Sequence, residues 1–306
     1  MYNSLYLSAL TFIILIFSVA TAAAQLPPQI NDHAAFSDYW YTGVAEITRY
    51  DLVQNHYGEE REGDAVLIYV TEDFLTGKQV KLETPAGGRE YVSVLKLNTV
   101  KKFVTGIYDY SVMSSVFTPI PVHNWPRSLK ATTSVQEWCG QTFSQLNFMN
   151  NRYRVRSYSY FENEGDVATY LPNRMLEEEI WTRLRLSPDL LPVGSFEIIP
   201  SGFDVRTAHR EWQVLEATGA LNTYTGDVFQ GDDLQAYTLS YARTGRSLTI
   251  VFEAAFPHQI AGWEETRVSQ RGTTLNRAVK TNQVRSPYWQ KNRVADEYLR
   301  EDLGLE

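Results

Sequence analysis

Residues 237–256, YTLSYARTGRSLTIVFEAAF, alternate apolar and polar side chains on both sides of one glycine-bearing turn. Tyr237, Leu239 and Tyr241 interleave with Thr238, Ser240 and Ala242. After Thr244-Gly245-Arg246 the alternation resumes, with Leu248, Ile250, Phe252, Ala254 and Phe256 set against Ser247, Thr249 and Glu253. A period of two sends successive side chains to opposite faces of a strand, so the stretch predicts an antiparallel hairpin with one dry face and one wet face. Such a face needs a core to cover, which makes antiparallel sheet the expected class for the chain.

The pattern extends in both directions. From Tyr39-Trp40-Tyr41 to about Tyr170 the chain is rich in Val, Ile, Thr, Tyr and Phe and is punctuated by glycine-containing polar clusters, a strand composition. Ala65-Val66-Leu67-Ile68-Tyr69-Val70 suits a strand buried on both faces. Residues 57–64 before it suit the turn of a hairpin whose first arm covers about Val44 to His56. Helix is scarce. Asn173 is placed to cap a segment ending near Leu186, with Leu176, Ile180 and Leu184 on one stripe and Pro188 beyond. A second helix is expected over Asn292 to Leu303, where Asp296 stands four residues before Arg300. The expected fold is therefore mainly β: an antiparallel sheet forming a barrel or sandwich, with one short mid-chain helix and a C-terminal helix. Residues 39–306 read as a single β-rich domain, with a division into two β subdomains near 171–192 left open.

The amino terminus carries an address. An apolar run centred on Phe12-Ile13-Ile14-Leu15-Ile16-Phe17 precedes Ala22-Ala23-Ala24, which predicts a signal peptide over residues 1–24 cleaved after Ala24. Gln25 to Asp38, with Pro27-Pro28, reads as an extended lead-in. Residue 25 is not cysteine, so lipid anchoring by the lipoprotein route is not expected, and no later segment is apolar enough to span a bilayer as a helix. An exported, soluble protein of the periplasm or extracellular space is the expectation. With one cysteine the chain forms no internal disulfide, and roughly 280 residues at 43% apolar composition must supply stability through their core. A net charge of −8 argues against nucleic acid as the partner.

Enzyme signatures are few. Cys139, in SVQEWCGQ, is the one thiol, and Gln136 is too close to it for the papain-like arrangement. His33, His56, His123, His209 and His258 stand in unrelated contexts. Its ordinary reading is a small buried hydrophobe; its functional reading is a hydrolase nucleophile served by a histidine. The acidic groups Glu59-Glu60-Glu62, Glu177-Glu178-Glu179 and Glu264-Glu265 offer a carboxylate pair for hydrolysis, or simply solvated faces. Asp227, Asp232 and Asp233 lack the ligand order of an EF-hand and read as a solvated turn. No zinc motif, phosphate loop, dinucleotide fingerprint or GxSxG turn is present, so no metal or cofactor is expected.

The most informative polar stretch is residues 151–160. As a strand it places Arg152, Arg154, Arg156, Tyr158 and Tyr160 on one face, opposite Tyr153, Val155 and Phe161. Three guanidiniums and two phenols suit a carboxylate, phosphate or sugar, whereas the plain alternative pairs these arginines with glutamates on neighbouring strands. YGEEREGDAVLIYVTEDF, VLKLNTVKKFVTGIYDYSVMSSVFTP, SVQEWCGQTFSQLN and AGWEET together resemble an exported family of Bacteroidota proteins, often labelled "septum formation inhibitor Maf", without an assigned biochemical role. The serine-arginine motif of true Maf pyrophosphatases is missing near the start, and Ser187-Pro188 and Ser286-Pro287 carry no arginine pair, so no Maf catalytic residue transfers. The expected function is a non-catalytic envelope protein that binds an amphiphilic or anionic envelope component or an envelope protein. A hydrolase using Cys139 or a carboxylate pair, and then a Maf-type nucleotide pyrophosphatase, are the alternatives.

Overall fold

The computed structural model describes residues 33–305 except residue 271; the expected signal peptide, its cleavage site and residues 25–32 of the lead-in lie outside the described residues. The hairpin forms as its alternation requires. Strands β13 (Leu234–Tyr241) and β14 (Arg246–Glu253) pair antiparallel with Tyr237 opposite Ile250 and Leu239 opposite Leu248, and Tyr237, Leu239, Tyr241, Leu248, Ile250 and Phe252 are all buried.

This hairpin belongs to one continuous sheet. A meander of β1 (Ala45–His56), β2 (Glu59–Leu75), β4 (Tyr91–Thr105), β5 (Tyr108–Pro119), β6 (Lys130–Glu137), β7 (Gly140–Met149), β8 (Arg152–Ser159) and β9 (Val167–Pro172) makes one wall, with the short β3 (Val80–Lys81) appended to β2. The other wall runs β10 (Met175–Leu176), β11 (Gly194–Ile199), β12 (Leu215–Thr223), β13, β14, β15 (Ile260–Ser269) and β16 (Gly272–Ser286). β1 and β16 pair antiparallel from Ala45↔Ser286 to Val53↔Arg277 and join the walls; among the described residues only the β10–β11 pairing is parallel. Tight turns connect the meander. Tyr57-Gly58 and Asn150-Asn151 each have two consecutive positive φ values, the conformation whose twist matches a two-residue hairpin. The turn before β2 is thus shorter than residues 57–64.

The two edges of this sheet, β9 and β10, are neighbours in sequence, separated by Asn173 and Arg174 alone. Three peptide units span at most about 11 Å. The edges therefore approach at that end, here called the bottom, yet no ladder joins them, and an open seam runs toward the top. The core inside draws on β1, β2, β4, β5 and β6 from one wall and β11 to β15 from the other.

Helices fill what the strands enclose. α1 (His33–Trp40) replaces the extended conformation expected for residues 33–38, because Phe36 and Trp40, one turn apart, are both buried in the core. α2 (Glu177–Leu186) is the expected mid-chain helix, but Asn173 does not cap it. The extended Leu176 leads in, while the Asn173 side chain accepts from Arg127 Nε at 2.7 Å and donates to Asn151. A six-residue helix, α3 (Gly202–Thr207), was not expected; the Ser201 hydroxyl accepts the Asp204 N–H at its start. The C-terminal segment Val294–Leu303 forms 3-10 turns rather than an α-helix, closed by Gly304 in the left-handed region.

α2 carries the largest correction. Its Leu176-Ile180-Leu184 stripe is fully buried as read, but Glu177, Glu179, Arg183 and Arg185 are buried too, not solvated. Each finds an opposite charge. Arg246 donates two bonds to Glu177, at 2.6 and 2.7 Å, and Tyr241 adds a third at 2.5 Å. Arg185 forks onto Glu46 at 2.5 and 2.6 Å and donates its Nε to the Pro257 carbonyl, with its guanidinium 4.7 Å from the Tyr69 ring. Glu179 accepts from Arg183 one turn on and from the Ser128 N–H. A buried pair broken on one side typically costs about 3–5 kcal/mol, whereas replacing both charges by apolar groups is far milder. Arg185→Met should therefore destabilise the protein by about that amount, and Glu46→Leu with Arg185→Met by clearly less than the sum of the single changes, as read from urea unfolding midpoints.

Candidate functional site

The top of the seam holds the polar machinery. α3 and the residues after it lie across the concave face near β5 and β6, and Gly202 makes the approach possible: a Cβ there would stand 2.4 Å from Thr133 Oγ1. Cavities flank this element. The first, about 380 Å³, lies between edge strand β9 with β6, β7 and β8 on one side and residues 202–212 on the other. Its sheet wall presents the hydroxyls of Thr133, Thr142, Ser144, Ser157 and Thr169. Its other wall presents Arg206, His209, Arg210, Glu211 and Trp212.

The cations here are imperfectly neutralised. Glu164 accepts from Arg206 at 3.2 Å and bonds His209 Nδ1 at 2.6 Å, while the Arg206 guanidinium lies 4.1 Å from the Phe161 ring. Arg206 Nε and His56 Nε2 are buried without a hydrogen-bond partner. Burial pushes the Arg210 guanidinium below its usual range; Asp204 opposes the shift, but Arg267 and Arg246 reinforce it. Burial likewise pushes His56 down, and Arg206 and Arg61 add to the effect. His209 is held at a φ of 50°, an uncommon conformation for a residue with a Cβ, at the point where two cavities meet.

The second of these, about 90 Å³, is lined by Cys139, His56 and His209 with Tyr57, Tyr110 and Glu137. The structure thus brings the thiol near two histidines, but it does not activate it. Cys139 occupies the two-residue turn between β6 and β7, where it is exposed rather than buried as its ordinary reading held, and Glu137 accepts its N–H at 2.6 Å. A hydrogen bond to the Glu137 carboxylate and its negative charge raise the thiol pKa, the wrong direction for a nucleophile.

The third cavity, about 60 Å³, lies in the interior beyond Ser201 and Phe203. Glu177 and Glu178 meet Glu265 there, so two of the acidic groups noted in the sequence converge around Arg246 and Lys101, walled by Trp181, Phe203 and Trp263. Burial raises Glu178 to about 7, with Glu177 adding to the rise and the Gly202 N–H, donated at 2.8 Å, opposing it. Glu265 is raised by burial, but Arg246 outweighs that, assisted by Lys101 and Arg267, and holds it at about 2. Lys101, 4.6 Å from the Phe203 ring, is pushed down by burial.

The arginine stripe stands elsewhere. β8 alternates as read, with Tyr153 and Val155 buried and Arg152, Arg156, Tyr158 and Tyr160 exposed on the convex face. Arg152 stacks 3.8 Å over Tyr170, and among the described residues none of Arg152, Arg154 and Arg156 forms an ion pair with a carboxylate. Sequence reasoning missed Lys101, Arg206, Arg210 and Trp212. The local signal that could have located the element presenting the arginines is the serine N-cap at Ser201, three residues before Asp204. Among the described residues no group of three or more His, Cys, Asp or Glu side chains is placed to hold a metal ion.

Two measurements check these environments. Cys139 should react with maleimide in the native protein, and Glu137→Gln should accelerate the reaction at constant pH by releasing the thiolate; an unreactive native thiol contradicts the exposed placement. For Glu178 the native pKa lies above the unfolded one, so its contribution to stability is complete below about pH 4.5 and is lost as pH rises through about 7. Stability relative to Glu178→Gln should fall across that window in denaturant titrations.

No family model, no curated protein and no solved structure matches this chain.

Proposed function

We propose that this chain is an exported envelope protein that binds an anionic amphiphile in the seam cleft. A volume of about 380 Å³ lies within the range of small-molecule sites, about 300–1,000 Å³. The observation that carries the reading is geometric: Arg206 and Arg210 line one wall of the cleft, and Arg206 Nε is buried there without an acceptor. An anionic headgroup would satisfy that donor. The hydroxyls opposite suit the polar shoulders of such a group, while Val167, Val205 and Trp212 suit its apolar part. The convex Arg152-Arg154-Arg156 stripe is the competing contact surface.

A hydrolase using a carboxylate pair has one specific observation in its favour. Glu178 at about 7 and Glu265 at about 2 line the same cavity, the separation of acid and base that hydrolytic pairs require. The space weighs against it: about 60 Å³ holds roughly two water molecules, not a sugar ring or a nucleotide. The same limit disfavours pyrophosphatase chemistry at that position.

Native mass spectrometry of the mature protein should reveal a co-purified anionic species. Arg206→Met with Arg210→Met should weaken its retention at least tenfold, and Arg152→Ser, Arg154→Ser and Arg156→Ser together should leave it unchanged. Loss in the folded triple variant alone would move the site to the convex stripe.

A further inference from the structure

The turns at the top of the first wall share an unusual composition. Because successive strands run antiparallel, the turns after β1, β4 and β6 and the loop after β8 all emerge at one end, side by side in the order of the sheet. Each exposes a large side chain: Tyr57 is 68% exposed, Ile107 84%, Trp138 70% and Tyr160 70%. Turn positions ordinarily carry Gly, Pro, Asn, Asp or Ser, and apolar residues repeated at four neighbouring tips form a patch instead of scattered singles. The patch is also ordered. Tyr57 and Tyr110 share a hydroxyl hydrogen bond of 2.9 Å, Tyr108 packs between Tyr110 and Trp138 with centroids 5.9 and 6.3 Å away, and Tyr160 lies so close to Gly140 that a Cβ there would stand 2.7 Å from its ring.

We propose that this aromatic rim docks on the surface of an electrically neutral lipid bilayer and sets the mouth of the seam cleft at the membrane–water boundary. The inference rests on the reading of the cleft as an amphiphile site. Trp and Tyr are amphipathic rings that partition to the headgroup level, and Ile107 supplies a purely apolar point of insertion. Continuity with the cleft identifies the partner. Tyr57 and Tyr110 of the rim line the small cavity whose inner wall is Arg206 and His209, and those two residues also line the 380 Å³ cleft. An amphiphile leaving a bilayer beneath the rim would meet Arg206 first. Charge identifies the kind of bilayer. The strand ends beside the tips carry Glu59, Glu60, Asp109 and Glu137, with Arg61 already paired to Glu59, so an anionic surface is repelled.

Cys139, adjacent to Trp138 and exposed, provides the probe site. A nitrobenzoxadiazole fluorophore attached there should shift to the blue and brighten when phosphatidylcholine vesicles are added, with little dependence on salt, since the contact is not ionic. Ile107→Ser with Trp138→Ser should weaken vesicle binding, followed by co-flotation of the unlabelled protein, at least tenfold, and Ile107→Leu should preserve it. Circular dichroism establishes that each variant is folded. No response to phosphatidylcholine, stronger binding to phosphatidylglycerol vesicles, or a concentration-dependent dimer that protects the fluorophore without lipid would each overturn the proposal. Failure of the cleft reading is distinguishable: the Arg206→Met, Arg210→Met variant would then keep its co-purified species while the rim still bound vesicles.

Discussion

Burying a charged helix inside a β-structure is the constraint on which this molecule turns. α2 brings Glu177, Glu179, Arg183 and Arg185 into the core, each paired with an opposite charge, while Glu178 accepts the Gly202 N–H. Burial of isolated charges would cost several kcal/mol each after relaxation, so the helix is tolerable only in a register where every ion meets its partner. Glu46 fixes one end from β1, and Arg246 fixes the other from β14. These strands belong to different walls. The helix therefore acts as an electrostatic cross-tie that sets the spacing between them, and other placements of the same helix would leave ions stranded in apolar surroundings.

That spacing explains where the polar cavities lie. The chain enters the interior directly after crossing from β9 to β10, so helix and sheet edges meet at the bottom and the seam opens away from them. α3 plugs the upper part incompletely, since its two turns cannot cover what a strand ladder would have closed. Glu177 is the hinge of this arrangement. It belongs to the cross-tie through Arg246, and Arg246 in turn touches Glu265 at 3.0 Å and faces Asp204 of α3. The ions that hold the walls apart thereby also shape the electrostatics of the sites around α3.

Much of the sheet could be read from side-chain periodicity, and the exceptions have a common origin. The β13–β14 hairpin and the alternation of β8 follow from a period of two, which depends on local geometry only. The charges of α2 were misread because EEEIWTRLRL has the composition of a solvated helix, and nothing local states that its partners lie far along the chain. One sign was present. Arg246 shares its face with Leu248 and Ile250, as Glu46 shares its face with Tyr50 and Leu52, and a charge in phase with a dry face asks for a buried partner. α3 was foreshadowed by its serine cap, and α1 by the four-residue spacing of Phe36 and Trp40. The cleft itself was not foreshadowed, because Arg206 and Arg210 meet the hydroxyls of β6 to β9 only through the way the sheet bends.

The pairing of β1 with β16 has a temporal side. These strands stand at opposite ends of the described chain, so β1 pairs with β2 early while its other margin is the last to be covered. Until residues 272–286 are delivered, the β1 margin offers an open row of amide and carbonyl groups, including the apolar Ala45 and Ile47, to whatever strand comes near. Contacts so distant in sequence are also slow to form. A chain delivered amino end first lives longest with that margin bare, so its assembly, more than its finished state, is the stage exposed to mispairing.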